Sequence, residues 1–178
     1  MFQTERLILR SLTKEDATDL FAYSKDEAVG KNAGWKPHES LDESKQILEE
    51  VFLDKEDVFG IIEKQSERLI GTVGFMPDLT RTNDNARMLG YAIGRDYWGK
   101  GFMTEAVQAL LSYGFLEKGY GIISVSHYSD NFRSQRVIEK CGFQFEGIQR
   151  QSELRYDGVL MDKKWYSLTA EEFCQTMK

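Results

Sequence analysis

Residues Arg87–Leu111 read RMLGYAIGRDYWGKGFMTEAVQALL, and this stretch decides the fold. Over Met88–Gly94, large residues alternate with glycine and alanine, a pattern typical of a strand with one crowded face and one bare face. A bare face allows a ligand or another backbone to approach closely. Thr104 is a favourable N-cap residue, and apolar residues follow it at helical spacing. The stretch therefore predicts a strand, a glycine loop and an amphipathic helix.

Two glycines, Gly99 and Gly101, lie in the loop between this strand and this helix. Glycine permits a tight turn, and the first turn of a helix has backbone N–H groups without intrahelical partners at the positive end of the dipole. Such a junction suits a phosphate or pyrophosphate, although an ordinary strand–turn–helix connection has the same composition. The loop lacks the Walker A pattern, and Thr104 replaces the third glycine of a dinucleotide fingerprint, so neither of these motifs is present.

Composition is typical of a single globular domain. The 178 residues are enough for a substantial core, and 41% hydrophobic and 29% charged residues are ordinary values. No apolar run approaches membrane-spanning length, and the first residues show no signal-peptide pattern, so we expect a cytoplasmic protein with no membrane partner. Two cysteines without C-x-x-C spacing, with only His38 and His127 as histidines, argue against a disulfide framework and a metal site.

The net negative charge comes from the first third of the chain. Residues 1–64 contain 15 acidic and 9 basic side chains, whereas residues 65–178 contain 14 of each. An acidic surface disfavours nucleic acid as a partner and suits a cation. Solvated acidic helix faces explain the same imbalance without any partner, and this is the simpler interpretation.

Hydrophobic periodicity assigns the remaining elements. Strands are predicted at 6–10, 57–63, 69–75, 87–94, 122–126, 143–153 and 159–168, the last two forming a hairpin that turns at 156–158. Helices are predicted after Thr13 and at 41–53, 104–117 and 133–140, whereas residues 28–39 are expected to be irregular. The order β-α-α-β-β-β-α-β-α-β-β predicts an α/β domain in which a mixed sheet carries helices on both faces.

Three strings in this order resemble one known family. They are TERLILRSLTKEDA at 4–17, GYAIGRDYWGKGFMTEAVQALLSYGF at 90–115 and NFRSQRVIEKCGF at 131–143. The chain resembles the GNAT (GCN5-related) N-acetyltransferase superfamily, and within it the ribosomal-protein-alanine (RimJ/RimL-type) branch. The resemblance implies one GNAT domain over 1–178, with a mostly antiparallel twisted sheet of about seven strands. It assigns acceptor-side helices to 13–54, the acetyl-CoA-binding core to 57–143 and a C-terminal hairpin to 143–168.

The same resemblance implies how acetyl-CoA binds. The strand before the loop pairs with the pantetheine arm, and backbone N–H groups of the loop receive the pyrophosphate. Two loop positions depart from the family pattern R/Q-x-x-G-x-G/A, because Trp98 replaces Arg or Gln and Met103 replaces a small residue. Backbone contacts survive both changes, although Met103 is large enough to crowd the loop. The implied acetyl-CoA-binding residues are Tyr91, Ala92, Ile93, Trp98, Gly99, Lys100, Gly101, Phe102, Met103, Thr104, Asn131 and Ser134.

Asn131 and Ser134 match an N-x-x-S string that opens the next helix in this branch. There the Asn side chain bonds to the pantetheine and the Ser hydroxyl lies near the sulfur. Helix capping is the alternative for both residues, and only the family match favours the functional interpretation. Many relatives carry a tyrosine in this helix as the acid for the leaving thiolate, but Ile138 occupies that position here. Ser134 is therefore the implied substitute, and Tyr128 is a weaker candidate.

Glu153 matches the glutamate that this branch places near the acceptor amine, which makes it the implied base. An alkyl amine is mostly protonated at neutral pH, so its proton must be accepted directly or through water. The alternative for Glu153 is a cross-strand ion pair with Arg150 or Arg155. Trp35, in a glycine-bearing loop, is a candidate wall of the acceptor site together with Tyr128, although core packing explains Trp35 as well.

The acceptor is the least determined part of this prediction. The branch implies acetyl transfer from acetyl-CoA to the N-terminal α-amine of a protein or peptide, without a metal. Relatives also acetylate polyamines, aminoglycosides and other small amines, and a protein that binds acetyl-CoA without turning it over is a further alternative. A homodimer through the C-terminal hairpin is compatible with the sequence, but no residue pattern requires it.

Overall fold

The computed structural model describes residues 1–176 of the chain. Its strands are β1 (Phe2–Gln3), β2 (Leu7–Arg10), β3 (Val58–Glu63), β4 (Leu69–Pro77), β5 (Ala86–Ile93), β6 (Ile122–Tyr128), β7 (Gln144–Leu154) and β8 (Leu160–Thr169). Its α-helices are α1 (Ala17–Ser24), α2 (Glu27–Ala33), α3 (Leu41–Ile47), α4 (Phe102–Ser112), α5 (Phe132–Lys140) and α6 (Ala170–Thr176). This order of elements confirms the predicted α/β class.

The strands form one sheet in the order β1-β2-β3-β4-β5-β6-β8-β7. Neighbouring strands are antiparallel except for β5 and β6, which run parallel. The mixed, mostly antiparallel sheet is therefore confirmed, with eight strands in the described residues rather than about seven. The additional strand is β1, whose two residues are too few for a hydrophobic pattern to reveal.

Both faces of the sheet are covered by helices. Ile61 of β3 packs in the larger apolar cluster with Val107 of α4, whereas its neighbour Ile62 packs in a smaller cluster with Leu20 of α1. Successive strand residues point to opposite faces, so these two clusters lie on the two sides of the sheet. The prediction of helices on both faces is confirmed.

The prediction that residues 28–39 are irregular is wrong for the first half of this stretch, because most of α2 lies there. Asp26 caps this helix by accepting a hydrogen bond from the backbone N–H of Ala28 at 2.8 Å. Gly30 weakens the helical pattern of the sequence, but packing requires it. A Cβ at this position would lie 2.7 Å from the carbonyl oxygen of Trp35.

The described residues contain neither a helix suited to cross a membrane nor a cluster of metal-binding side chains. No helix within residues 1–176 has the length and apolarity that a membrane crossing needs. The same residues contain no group of three or more His, Cys, Asp or Glu side chains that could hold a metal ion. Both cysteines are free thiols, with Cys141 buried and Cys174 exposed.

A buried carboxylate ties the β4–β5 connection to β6. Asp78, whose side chain is 0% exposed, accepts hydrogen bonds from Ser124 at 2.6 Å, from the backbone of Thr80 at 2.9 Å and from Arg81 at 2.7 Å. Burial would raise the pKa of Asp78, but these hydrogen bonds outweigh it and lower the pKa from 3.8 to about 2. The carboxylate therefore stabilises the folded state in its ionised form.

Replacing Asp78 by Asn should lower the free energy of unfolding by about 2 kcal/mol at pH 7, because donors on Thr80, Arg81 and Ser124 lose an ionised acceptor. The folded-state pKa is depressed, so this stabilisation is complete above about pH 4 and disappears as the pH falls towards 2. Urea unfolding of the parent and the variant, above pH 4 and near pH 2, measures this difference in the free energy of unfolding. Asp84→Asn, an exposed change in the same connection, should stay within about 0.5 kcal/mol of the parent. An equal loss of stability in both variants would contradict the stabilising role assigned to the Asp78 carboxylate.

Candidate active site

A cleft opens in the sheet where β5 and β6 separate. The two strands pair only over 86–88 and 122–124. Beyond Met88, β5 stays paired with β4 as far as Ile93, while β6 pairs with β8. The second edge of this part of β5 has no strand partner within residues 1–176. A cavity of about 520 Å³ occupies the gap, which is a volume typical of ligand sites.

The predicted strand residues Tyr91, Ala92 and Ile93 all line this cavity. An unpaired strand edge offers backbone N–H and C=O groups to any extended molecule that lies alongside it. At Gly94, directly after β5, packing also explains why the residue is small. A Cβ at this position would lie 3.1 Å from the Cβ of Tyr23. Packing against α1 therefore accounts for the small residue at the end of β5.

The glycine loop closes one end of the cleft. Gly99 and Gly101 have φ angles of 73° and 83°, in the left-handed region that glycine adopts without strain. Gly101 leads directly into α4, which begins at Phe102, so the prediction that Thr104 caps this helix is wrong. Thr104 lies in the first turn and lines the cavity together with both glycines. The N-terminus of α4 therefore meets the cleft, as a phosphate-binding junction requires.

The two departures from the family pattern both have packing explanations. The Met103 side chain is buried in the larger apolar cluster and also forms part of the cavity lining. The indole N–H of Trp98 donates to the carbonyl oxygen of Ile93 at 2.9 Å, and the guanidinium of Arg133 lies 4.6 Å from the indole ring centroid. Trp98 thus fastens the start of the loop to the end of β5 and to α5.

Arg6 supports the same loop, and the sequence interpretation missed it. Its guanidinium donates to the carbonyl oxygen of Lys100 at 2.9 Å, pairs with Glu105 at 2.7 Å and lies 4.4 Å from the ring centroid of Phe102. The loop is therefore braced from a segment about 95 residues earlier in the chain. The one signal in the sequence for an arginine partner was Glu105, an acidic residue in the first turn of α4.

Asn131 and Ser134 have separate roles at the start of α5. The side-chain oxygen of Asn131 accepts a hydrogen bond from the backbone N–H of Ser134 at 3.1 Å, which confirms the capping interpretation for this oxygen. The Asn131 amide nitrogen donates to the carbonyl oxygen of Asn32 at 3.4 Å. The Ser134 hydroxyl instead lies 2.7 Å from the phenol oxygen of Tyr91. Ile138 is fully buried in the larger apolar cluster, where it offers no polar atom.

Glu153 and Tyr128 meet at the end of the cleft that adjoins α2, which packs on the face of the sheet away from α4. The Tyr128 phenol donates to one oxygen of the Glu153 carboxylate, and the Lys163 ammonium binds the other. Burial would raise the pKa of Glu153, but the hydrogen bonds from Lys163 and Tyr128 outweigh it and hold the pKa below 4.5. The predicted ion-pair alternative is thus present with Lys163 as partner, whereas Arg155 pairs with Asp157 at 2.8 Å.

Gly34 permits this arrangement at the end of α2. Its φ angle is 90°, and a Cβ at this position would lie 2.6 Å from the Tyr128 phenol oxygen and 3.2 Å from a Glu153 carboxylate oxygen. Any larger residue would therefore push the hydroxyl or the carboxylate away. Gly34 thus lets the end of α2 approach β6 and β7 closely.

Two predicted site residues lie outside the cavity lining among the described residues. Trp35 packs against the smaller apolar cluster, and its backbone N–H donates to the Gly30 carbonyl oxygen at 3.2 Å. Lys100 is exposed, with its ammonium 5.6 Å from the ring centroid of Tyr97. Trp35 is therefore explained by packing, and Lys100 contributes its backbone to the loop.

The charges that line the cleft are strongly unequal. Within residues 1–176, Glu153 is the one carboxylate in the lining. Arg133, Arg136 and Lys140 of α5 line the cavity at helical spacing, and Lys163 lies beside Glu153. The cleft thus suits a ligand with several negative charges near α5 and the loop.

Comparisons with known proteins agree with this geometry. Residues 6–144 match the acetyltransferase (GNAT) domain family. The uncharacterized N-acetyltransferase p20 of Bacillus licheniformis is 33% identical over 174 residues, which cover 96% of each chain. The ribosomal protein uS5-alanine N-acetyltransferase of Escherichia coli is 30% identical over 107 residues, 60% of this chain and 52% of that protein.

A solved structure shows the same fold. The spermidine N-acetyltransferase from Vibrio cholerae, in complex with CoA and spermine, has a TM-score of 0.80 and 21% sequence identity, covering 96% of this chain and 99% of that chain. The family match spans more than half of the sequence and includes the glycine loop, the open strand edge and the start of α5. The chain therefore belongs to the GNAT family and is an acetyl-CoA-dependent N-acetyltransferase.

Proposed function

We propose that the acceptor is the N-terminal α-amine of a peptide or protein, which attacks acetyl-CoA directly in a ternary complex. The observation that carries this proposal is the state of Glu153, whose carboxylate is already bound by Tyr128 and Lys163. A carboxylate paired with a lysine has little net charge, so it offers a polycation little of the attraction that several free carboxylates would supply. The similarity to a ribosomal-protein-alanine N-acetyltransferase supports the same class of acceptor.

The cleft has the features that acetyl-CoA requires. The open edge of β5 suits the pantetheine arm, and the loop at Gly99 and Gly101 presents the N-terminus of α4 to the pyrophosphate. Arg136 and Lys140 add positive charge for the remaining phosphate group. Bound acetyl-CoA supplies the activated acetyl thioester, while the chain binds, orients and excludes water.

The acidic first third of the chain does not supply charge to the acceptor site. Its residues in the cavity lining are Val29, Asn32 and Ala33, none of which is charged. Several acidic side chains of the same region lie on exposed helix faces, where Glu27 pairs with Lys31 at 2.7 Å and Asp42 pairs with Lys45 at 2.8 Å. Asp16 is instead buried and pairs with Arg10 at 2.7 Å. The interpretation as solvated helix faces is therefore supported for these side chains. The cavity lining within residues 1–176 lacks the several carboxylates that a polyamine would need.

The low pKa of Glu153 also selects among amines. A carboxylate with a lowered pKa is a weak base, so the acceptor must lose its proton easily. An α-amine has a pKa of about 8 and a lysine side chain about 10.4, so the neutral fraction of an α-amine at pH 7.5 is roughly a hundredfold larger. In this proposal Glu153 orients the amine and receives its proton directly or through a water molecule.

A peptide with a free N-terminus and no lysine should be acetylated with a kcat/KM at least about 10-fold above that of spermidine, because the cleft offers one paired carboxylate. Release of the coenzyme A thiol measures the rate, and mass spectrometry of the peptide locates the acetyl group. The control is the same peptide with a blocked N-terminus and one internal lysine. Faster turnover of spermidine, or modification of the internal lysine alone, would overturn the choice of acceptor.

Changing Glu153 to Gln should lower kcat for the peptide by about 10- to 100-fold and leave the affinity for acetyl-CoA unchanged, because the carboxylate lies at the acceptor end. Calorimetry with acetyl-CoA and steady-state kinetics separate the two effects. Glu139→Gln, an exposed change on α5, serves as the control. Unchanged turnover in the Glu153 variant would remove this residue from the mechanism.

The pH profile gives an independent check on the same roles. Because the hydrogen bonds from Lys163 and Tyr128 lower the pKa of Glu153 from its ordinary value, we expect its carboxylate to contribute no limb near neutral pH. The value of kcat/KM should therefore rise with pH until about 8, where the peptide α-amine loses its proton. A limb near pH 6 that vanishes in Glu153→Gln would show that Glu153 titrates in the working range, against this assignment.

A further inference from the structure

The position that carries the acid in many relatives has no proton to give in this chain. Ile138 is fully buried in the larger apolar cluster. Ser134 is the one hydroxyl-bearing residue of α5, the sequence of which reads FRSQRVIEK. A serine hydroxyl is a weak acid that rotates freely, and in a helix it often donates to the carbonyl four residues earlier. A useful contact between Ser134 and the departing sulfur therefore needs another group that holds this hydroxyl in place.

Tyr91 supplies such a group from a different element. It projects from β5 towards the larger apolar cluster, against which it packs half-buried, and it lines the cleft. Its phenol oxygen lies 2.7 Å from the Ser134 hydroxyl oxygen and 3.3 Å from the Ser134 carbonyl oxygen. Both polar contacts of the phenol are therefore with Ser134, and in the shorter one either hydroxyl can donate.

We propose that Tyr91 is a positioning residue that donates to the Ser134 hydroxyl and so directs the Ser134 proton at the sulfur of the departing thiolate. A hydroxyl that accepts a hydrogen bond becomes a stronger donor in its turn, so the chain from Tyr91 to Ser134 stabilises negative charge on the sulfur. The proposal deepens the proposed function and rests on it, because it takes Ser134 to lie near the thioester, as the family resemblance implies.

The electrons and protons balance without ionisation of either side chain. When the C–S bond breaks, its electron pair goes to the sulfur, which accepts a hydrogen bond from Ser134. Ser134 and Tyr91 keep their protons, and the thiolate takes a proton from solvent after it leaves. Burial raises the pKa of the Tyr91 phenol above its ordinary value of 10, so the phenol remains a neutral donor throughout the working range.

The test combines Tyr91→Phe and Ser134→Ala, singly and together. Each single change should lower kcat by about 10-fold with the KM for acetyl-CoA within about twofold of the parent, because one hydrogen bond to developing charge is lost. The double variant should match Ser134→Ala alone, since Tyr91 acts only through Ser134. Tyr23→Phe is the matched control, because Tyr23 is a buried phenol at 3.5 Å from the Thr72 hydroxyl and outside the cavity lining.

Titration of bound coenzyme A supplies a readout that needs no acceptor. The ultraviolet absorbance of the thiolate reports the pKa of the bound thiol. This pKa should rise by roughly one unit in Tyr91→Phe and in Ser134→Ala, and the double variant should show no larger rise than either single variant. An unchanged thiol pKa in Tyr91→Phe, or an equal further loss of kcat in the Ser134→Ala background, would overturn the proposal. Failure to acetylate the peptide would count against the proposed acceptor alone, because the thiol titration still decides the role of Tyr91.

Discussion

The separation of β5 from β6 after three paired residues is the constraint on which the site depends. Backbone N–H and C=O groups inside a sheet need partners, so an edge that the fold leaves open here is available to an extended ligand. Leu89 of β5 and Val125 of β6 still pack in the same apolar cluster, which keeps the two strands in one domain as they diverge. Asp78 binds Ser124, the last β6 residue paired with β5, and so marks where the split begins.

The cleft has opposite electrostatic requirements at its two ends, and different elements meet them. At the α4 and α5 end, Arg133, Arg136 and Lys140 share one side of a helix beside the glycine loop, where phosphates need positive charge. At the other end, Lys163 neutralises Glu153, so this end is close to neutral. A ligand with several negative charges is therefore drawn to one end only, which leaves the other end for an amine.

Features set by neighbouring residues were predictable from the sequence. The glycine loop, the cap of α5 at Asn131 and the hairpin turn at Gly158, with its φ angle of 82°, each depend on residues a few positions apart. Contacts between distant elements were not predictable, because no local pattern records them. Arg6 bracing the loop and Tyr91 holding Ser134 are examples. The start of α4 was misplaced for a related reason, since a left-handed Gly101 replaces the side-chain cap that Thr104 suggested.

The pairing of Glu153 with Lys163 is a contact of this unpredictable kind that lies in the candidate active site. In the β7–β8 pair, Gln149 lies opposite Lys163 and Glu153 opposite Met161, so four positions on β7 span two on β8. This bulge makes Lys163 a diagonal neighbour of Glu153, a position from which side chains interact. Gln151 adopts a φ angle of 49° within the bulge, and its N–H donates to Asp162 at 2.7 Å. A regular register would have placed Glu153 beyond the reach of Lys163. The charge balance of the proposed acceptor site therefore depends on a backbone irregularity at a non-glycine residue, which no sequence pattern marks.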